Sequence, residues 1–348
     1  MKTASTSIEK MAGATNKFNQ AGKSLDQLGS GFKSAEVSMK RFTVSWEGLI
    51  SRILVTQTVV SAFGTLRREL MGAANDAIAF SKQVGEIQTI SDYSFEGASD
   101  VVRRLSDTLN VSLSDQAAGL YQALSNGFES AAEAENVLTE ATKLARATNS
   151  STTNSVDLLS SAIKSFNLDA SEAARVSGVF FEGIRAGRIT ASELGNSFGR
   201  VSNRASQLGL TLEETVAALA SITVKGTKTS EAITQLGGIL TALSKPTDEM
   251  TEALNRLGFA TSEEAIAALR LPGVLDSIAK STNGTSAGLA KLMPNVRGIS
   301  GELALTGKGL SDFVENLKSM QSATGDFADS KFLIATANDA NTVTKEFN

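Results

Sequence analysis

The chain has 348 residues with 41% hydrophobic side chains, which suffices for a sizeable buried core in one large domain or two. It contains no Cys and no His, which removes disulfides, thiolate nucleophiles, Cys-ligated zinc and the commonest general base and metal ligand. The net charge of −4 conceals an asymmetry: residues 1 to 70 carry ten Lys or Arg against five Asp or Glu, leaving −9 for the remainder.

Only Pro246, Pro272 and Pro294 break a sequence rich in Ala, Ser, Thr, Leu and Gly, so the composition predicts an all-α fold. Met1 to Gln20 is polar and holds no apolar run of the kind a secretory signal needs. The basic residues of the N-terminal part are dispersed and not interleaved with aromatics, so they predict no sequence-specific nucleic-acid binding.

The first predicted element is an elongated amphipathic arm over 1–70. Apolar or small side chains recur at alternating spacings of three and four from Met11 to Ile53, through Phe18, Leu25, Leu28, Phe32, Met39, Phe42, Trp46 and Leu49, which makes six heptads. A 3.5-residue repeat marks a narrow coiled-coil seam, whereas an ordinary surface helix shows a broader face at period 3.6. Gly13, Gly22, Gly29 and Gly31 lie within this stretch, and each costs about 1 kcal/mol relative to Ala in a helix interior. Such a helix gains its order by self-association, against a partner, or by packing on its own domain. The most apolar window, Leu49 to Leu66, is interrupted by Arg52 and Gln57 and falls short of a spanning helix. It reads as a buried amphipathic helix, or as a segment that enters a membrane in one functional state.

Residues 71–325 read as a multi-helix domain of short-linked antiparallel helices, most of them opened by a recognisable cap. Five pairings at helix starts fit a capping box: Ser130 with Glu133, Asp169 with Glu172, Thr190 with Glu193, Thr211 with Glu214, and Thr261 with Glu264. In such a capping box the first oxygen accepts the N3 amide and the acid reaches back to the N-cap amide. Ser114 with Asp115 opens a further helix without the full box. Gly127, Gly187, Gly209, Gly226 and Gly258 follow apolar periodic segments, where a left-handed residue ends a helix. Residues 272–310, rich in Gly, Ser, Thr and Asn, predict looser helical order. Residues 326–348 read as a C-terminal helical extension or the start of a longer rod.

No catalytic, cofactor-binding or metal-binding residue is expected. The acidic clusters Glu193, Glu213, Glu214, Glu263 and Glu264 could be taken for acid–base pairs, but first-turn capping already accounts for them. Gly301 to Gly309 has five residues between its first two glycines and Gly309 where a phosphate-binding loop needs Ser or Thr. Lys225-Gly-Thr-Lys228-Thr-Ser reads as a polar turn ahead of a helix, the alternative being an anion site at the helix start.

Several words resemble, in order, the core region of phage tail tape measure proteins. They are Leu158-Leu-Ser-Ser-Ala-Ile-Lys-Ser-Phe-Asn-Leu-Asp-Ala-Ser-Glu-Ala, Val176-Ser-Gly-Val-Phe-Phe, Ala191-Ser-Glu-Leu-Gly-Asn-Ser-Phe-Gly-Arg-Val, Gln207-Leu-Gly-Leu-Thr-Leu-Glu-Glu-Thr-Val-Ala-Ala-Leu-Ala, Leu243-Ser-Lys-Pro-Thr and Ala253-Leu-Asn-Arg-Leu-Gly-Phe259. The resemblance runs from Phe80 to Gly325. It implies a structural, non-enzymatic protein of a phage or prophage tail that sets tail length, scaffolds tube assembly and is ejected with the DNA. It also implies the tail tube protein and tail assembly chaperones as partners, while the heptad seam predicts a homo-oligomer and the Leu49 to Leu66 window a host membrane contact during ejection. The implied locations are the tail lumen of the virion and the host cytoplasm during assembly. As a ruler the chain is short: a single helix of 348 residues would reach only about 520 Å at 1.5 Å per residue, so the expectation is a fragment whose rod lies beyond Asn348. A secreted flagellin- or hook-like filament subunit also fits the composition, and the enzyme-class alternative is a tail-associated hydrolase, which needs a convergent Glu or Asp pair outside the caps.

Overall fold

A computed structural model describes residues 79–128, 130–293, 295–325 and 332. The heptad seam from Met11 to Ile53, the window Leu49 to Leu66 and nearly all of 326–348 lie outside the described residues. The chain divides into two units, Met1–Ala74 and Asn75–Asn348; the second is the one described below.

Among the described residues the fold is all-α, without a strand. Helix α1 covers 79–90, and is followed by α2 (Phe95–Leu109), α3 (Leu113–Ser125), α4 (Ala131–Thr148) and α5 (Thr152–Ser165). A 3₁₀ turn (Ala170–Glu172) precedes α6 (Ala173–Ala186), α7 (Ala191–Gly195), α8 (Gly199–Gln207), α9 (Leu212–Val224) and α10 (Thr229–Ser244). The series closes with α11 (Asp248–Arg256), α12 (Ser262–Ser281), α13 (Ser286–Leu292), α14 (Val296–Leu305) and α15 (Lys308–Gln321).

Local chemistry sets most of the starts. Ser94, Ser112, Ser130, Ser151, Thr247 and Thr285 each accept the backbone N–H three residues on, an arrangement worth about 1 kcal/mol per helix. The cap of α3 is therefore Ser112, two residues before the expected Ser114; its hydroxyl takes the Asp115 N–H and donates to the Asp115 carboxylate. Asp169 also departs from expectation, accepting from Ser171 N–H at 2.8 Å instead of from Glu172. That two-residue reach closes a tighter turn, hence the 3₁₀ segment, and leaves Glu172 free to bind Arg175.

The helix ends divide similarly. Gly127, Gly209, Gly226 and Gly258 adopt left-handed backbone, as do Asn110, Asn149, Asn167 and Asn283. Gly187 does not: its backbone is extended. Glycine stands there because a Cβ would lie 2.9 Å from the Ala220 Cα and 2.8 Å from the Thr223 hydroxyl, so α9 could not approach the end of α6.

One hydrophobic cluster runs from Phe80 to Ala323. At its centre lies α9, where all residues from Glu214 to Thr223 are buried. A helix apolar on every side needs neighbours on every side, and α6, α8, α10, α14 and α15 supply them. Ser221 and Thr223, the polar residues of its second half, donate their hydroxyls to carbonyls of the same helix. Phe180 of α6 meets Phe198 edge-on at 5.1 Å and 85°.

Between 272 and 310 the chain forms the second half of α12, then α13 and α14. Its breakers act as punctuation. Pro272 stands in the first turn of the second half of α12, where its missing N–H removes no intrahelical bond. The break itself is Arg270, with φ 58° and ψ 167°.

Candidate functional site

The first-turn acids around α9 form a polar constellation that reaches across several helices. Thr211 and Glu214 form a complete capping box: the Thr211 hydroxyl accepts Glu214 N–H at 3.2 Å, and Glu214 Oε2 accepts Thr211 N–H at 2.9 Å. The Glu214 side chain is fully buried, so its charge needs more than one partner. Arg270 Nη2 donates to Oε2 at 2.6 Å, and the Leu271 N–H donates to Oε1 at 3.0 Å.

Glu214 thus caps two helices at once, α9 through Thr211 and the second half of α12 through Leu271. The Arg270 backbone occupies a region nearly exclusive to glycine, a strain of order 1–3 kcal/mol. Charge-assisted bonds to the buried carboxylate hold it there.

The neighbouring acids follow the same plan. Arg175 of α6 binds Glu172 on its own chain segment and Glu213 at the start of α9. Glu193 closes a full box with Thr190 and also accepts the Thr229 hydroxyl of α10 at 3.0 Å. Burial raises the Glu193 pKa, but the hydrogen bonds from Thr190 and Thr229 outweigh it and leave the carboxyl below its usual range. In α12, Thr261 accepts the Glu264 N–H, while the Glu264 carboxylate takes the Ala260 N–H instead of that of Thr261. Ser130 accepts Glu133 N–H at 3.2 Å.

These groups do not converge on a reaction centre. A general base needs a lone pair facing a substrate, whereas the Glu214 oxygens face Arg270 and the amides of Thr211 and Leu271. Glu213 and Glu214 are adjacent in sequence, yet one points to Arg175 and the other to Arg270. Among the described residues no cluster of three His, Cys, Asp or Glu is placed to hold a metal. Lys225, in the polar turn before α10, pairs with Asp312 of α15. The 301–309 segment is the end of α14 and the start of α15, with Gly307 at the junction. A polar cleft of about 500 Å³ lies between the left-handed ends Asn110 and Asn149, lined by Ser112, Asp115, Arg146 and Ser151. Among the described residues no helix is long and apolar enough to cross a membrane.

Sequence reasoning located the first-turn acids and missed their distant partners. Arg175, Thr229, Arg270 and the Leu271 amide carry no local signal that couples them to a carboxylate 36 to 57 residues away. Glu302 was also missed; an acid between Ile299 and Leu305 in an apolar stretch was the available clue.

The chain is 32% identical over 104 residues to a tape measure protein of Pneumococcus phage Dp-1, covering 30% of this chain and 9% of that protein. It is 26% identical over 235 residues to a probable tape measure protein of Clostridium phage phiCD119, covering 65% of this chain and 25% of the relative. The chain thus aligns with a quarter or less of the curated relatives it matches. No solved structure matches it. The family model described as phage-related minor tail protein matches residues 99–340, more than half of the sequence, and the chain belongs to that family.

Proposed function

We propose that the chain is a structural part of a tail tape measure protein, acting in the tail lumen to set tail length and scaffold tube assembly. The observation that carries this reading is the alignment of 235 residues, spanning most of the helical unit, with a protein named as a probable tape measure protein. The interior of the unit supports it: the acids Glu193 of α7 and Glu214 of α9 are used to join helices, the first to α10 and the second to α12. A filament subunit of the flagellin or hook type is less well supported, since the matched family is one of phage tails.

In this reading the helical unit is an assembly module and the measuring rod is a different part of the polypeptide. A straight helix extends 1.5 Å per residue, while helices folded against one another add far less. The 11–53 seam supplies self-association, and the tube protein and assembly chaperones are the partners. The Leu49 to Leu66 window is the candidate for host membrane contact on ejection, and the host cytoplasm is the place of assembly. The test is electron microscopy of tails from phage carrying in-frame deletions in the full-length gene. Removing 100 rod residues should shorten the tail by about 150 Å, and an unchanged tail length would overturn the ruler function.

A further inference from the structure

Glu302 stands apart from the other acids. Its side chain is completely shielded from solvent, and neither carboxyl oxygen has a hydrogen-bond partner. It lies on α14, which crosses α10 at very close range. A Cβ on Gly238 would sit 2.7 Å from the Gly298 nitrogen, and one on Gly301 would sit 3.1 Å from side-chain atoms of Gln235 and Ile239. The crossing is therefore sealed by backbone contact one turn from the carboxyl group.

The elements packed against α14 are α9, α10, α12, α13 and α15. Their charges are engaged elsewhere or turned to solvent. Glu213 and Glu214 bind Arg175 and Arg270, Asp276 binds Lys280, and Asp312 binds Lys225. Glu231, Glu263, Glu264, Lys291, Lys308, Glu315 and Lys318 are exposed, as is Arg297 of α14 itself. Burial alone acts on the Glu302 proton affinity, pushing its pKa from 4.5 up to about 8.

We propose that Glu302 is a pH-responsive latch for the C-terminal helices: protonated, it lets α14 seat on α10, and ionised, it drives α14 and α15 to open from the unit as a local event. The exposed polar ties of α15 favour local opening over global unfolding. Two of the polar ties that hold α15 are the exposed pair of Asp312 with Lys225, just past α9, and the bond from Asn316 to Ser221 of α9. Opening returns the carboxyl to water and its ordinary pKa, so the opening constant grows close to tenfold per pH unit between about 5 and 8.

Hydrogen exchange on the full chain tests this, with rates corrected for intrinsic base catalysis. From pH 5.5 to 7.5 the opening constant of 296–321 should rise roughly 70-fold, while α3 to α5 stay level. Glu302→Gln should flatten the response of 296–321 to under threefold. A response that is the same in both proteins would overturn the latch. A carbon-detected titration of the Glu302 carboxyl in the unmodified protein gives a second, independent reading: a midpoint near 8 supports it, and one near 4.5 overturns it.

Discussion

The Glu214 carboxylate accepts the Leu271 amide at 3.0 Å, fastening the first turn of α9 to the break in α12 across 57 residues of sequence. Its other oxygen holds the Arg270 guanidinium at 2.6 Å. One buried acid therefore satisfies a local cap, a distant helix start and a cation at the same time.

Glu214→Ala should be among the most damaging single substitutions in the unit. It strands Arg270 and the Leu271 amide and removes the group that holds a strained backbone, a loss of about 3–5 kcal/mol by analogy with broken buried pairs. Urea titration followed by circular dichroism measures it. A loss below about 1 kcal/mol, the value of an ordinary cap, would mean that the link to α12 contributes nothing.

Arg270 separates backbone strain from charge. Arg270→Ala and Arg270→Gly remove the same ion pair, but only glycine adopts φ 58° and ψ 167° without penalty. The glycine variant should be the more stable of the two by about 1–3 kcal/mol. Equal stabilities would show that the break carries no strain.

Gly238→Ala inserts a methyl group 2.7 Å from the Gly298 nitrogen. Its nearest neighbours are all backbone atoms of Gly298 and Arg297, so α10 and α14 must separate, at a cost of about 1–3 kcal/mol. Exchange of the amides in 296–305 should accelerate first. Gly209→Ala, at a left-handed position with open space around it, is the contrasting case: it strains one turn and leaves the crossing intact.

Glu193 and Glu302 should give opposite pH dependences. The Glu193 pKa is lowered in the fold, so its contribution is present above the unfolded value of 4.5 and is lost as pH falls through the folded value. For Glu302 the folded value, about 8, lies above the unfolded 4.5; its protonated form is compatible with the fold, and stability falls as pH rises from 4.5 to 8. Denaturant midpoints at pH 4 and pH 8.5 should therefore show Glu193→Gln costing stability mainly at pH 8.5. Glu302→Gln should stabilise at pH 8.5, by on the order of a few kcal/mol, and have little effect at pH 4.

The helix class and many helix starts could be read from the sequence because their causes are local. Thr190 with Glu193 and Thr211 with Glu214 are three residues apart, and the bonds that join them depend on that spacing alone. Residues with two uses were harder to read. Gly187 ends α6 with extended backbone and is glycine for close approach to Ala220, and Asn110 and Asn149 end helices although Asn is equally a residue of helix starts. Asp169 closes on Ser171 because an aspartate can satisfy either of two nearby amides. The Arg270 and Leu271 partners of Glu214 were invisible for a different reason: they exist only once α9 and α12 have docked.

The all-round burial of α9 has a consequence for synthesis of the chain. Asn316 of α15 donates to Ser221 of α9 across 95 residues, so one wall of α9 arrives long after the helix itself. At about 5–20 residues per second a ribosome needs roughly 5–20 s to cover that interval. During that time the apolar side of α9 destined for α15 faces the solvent of the cell, which makes the emerging polypeptide most vulnerable to aggregation after α9 has appeared and before Gln321 has left the exit tunnel.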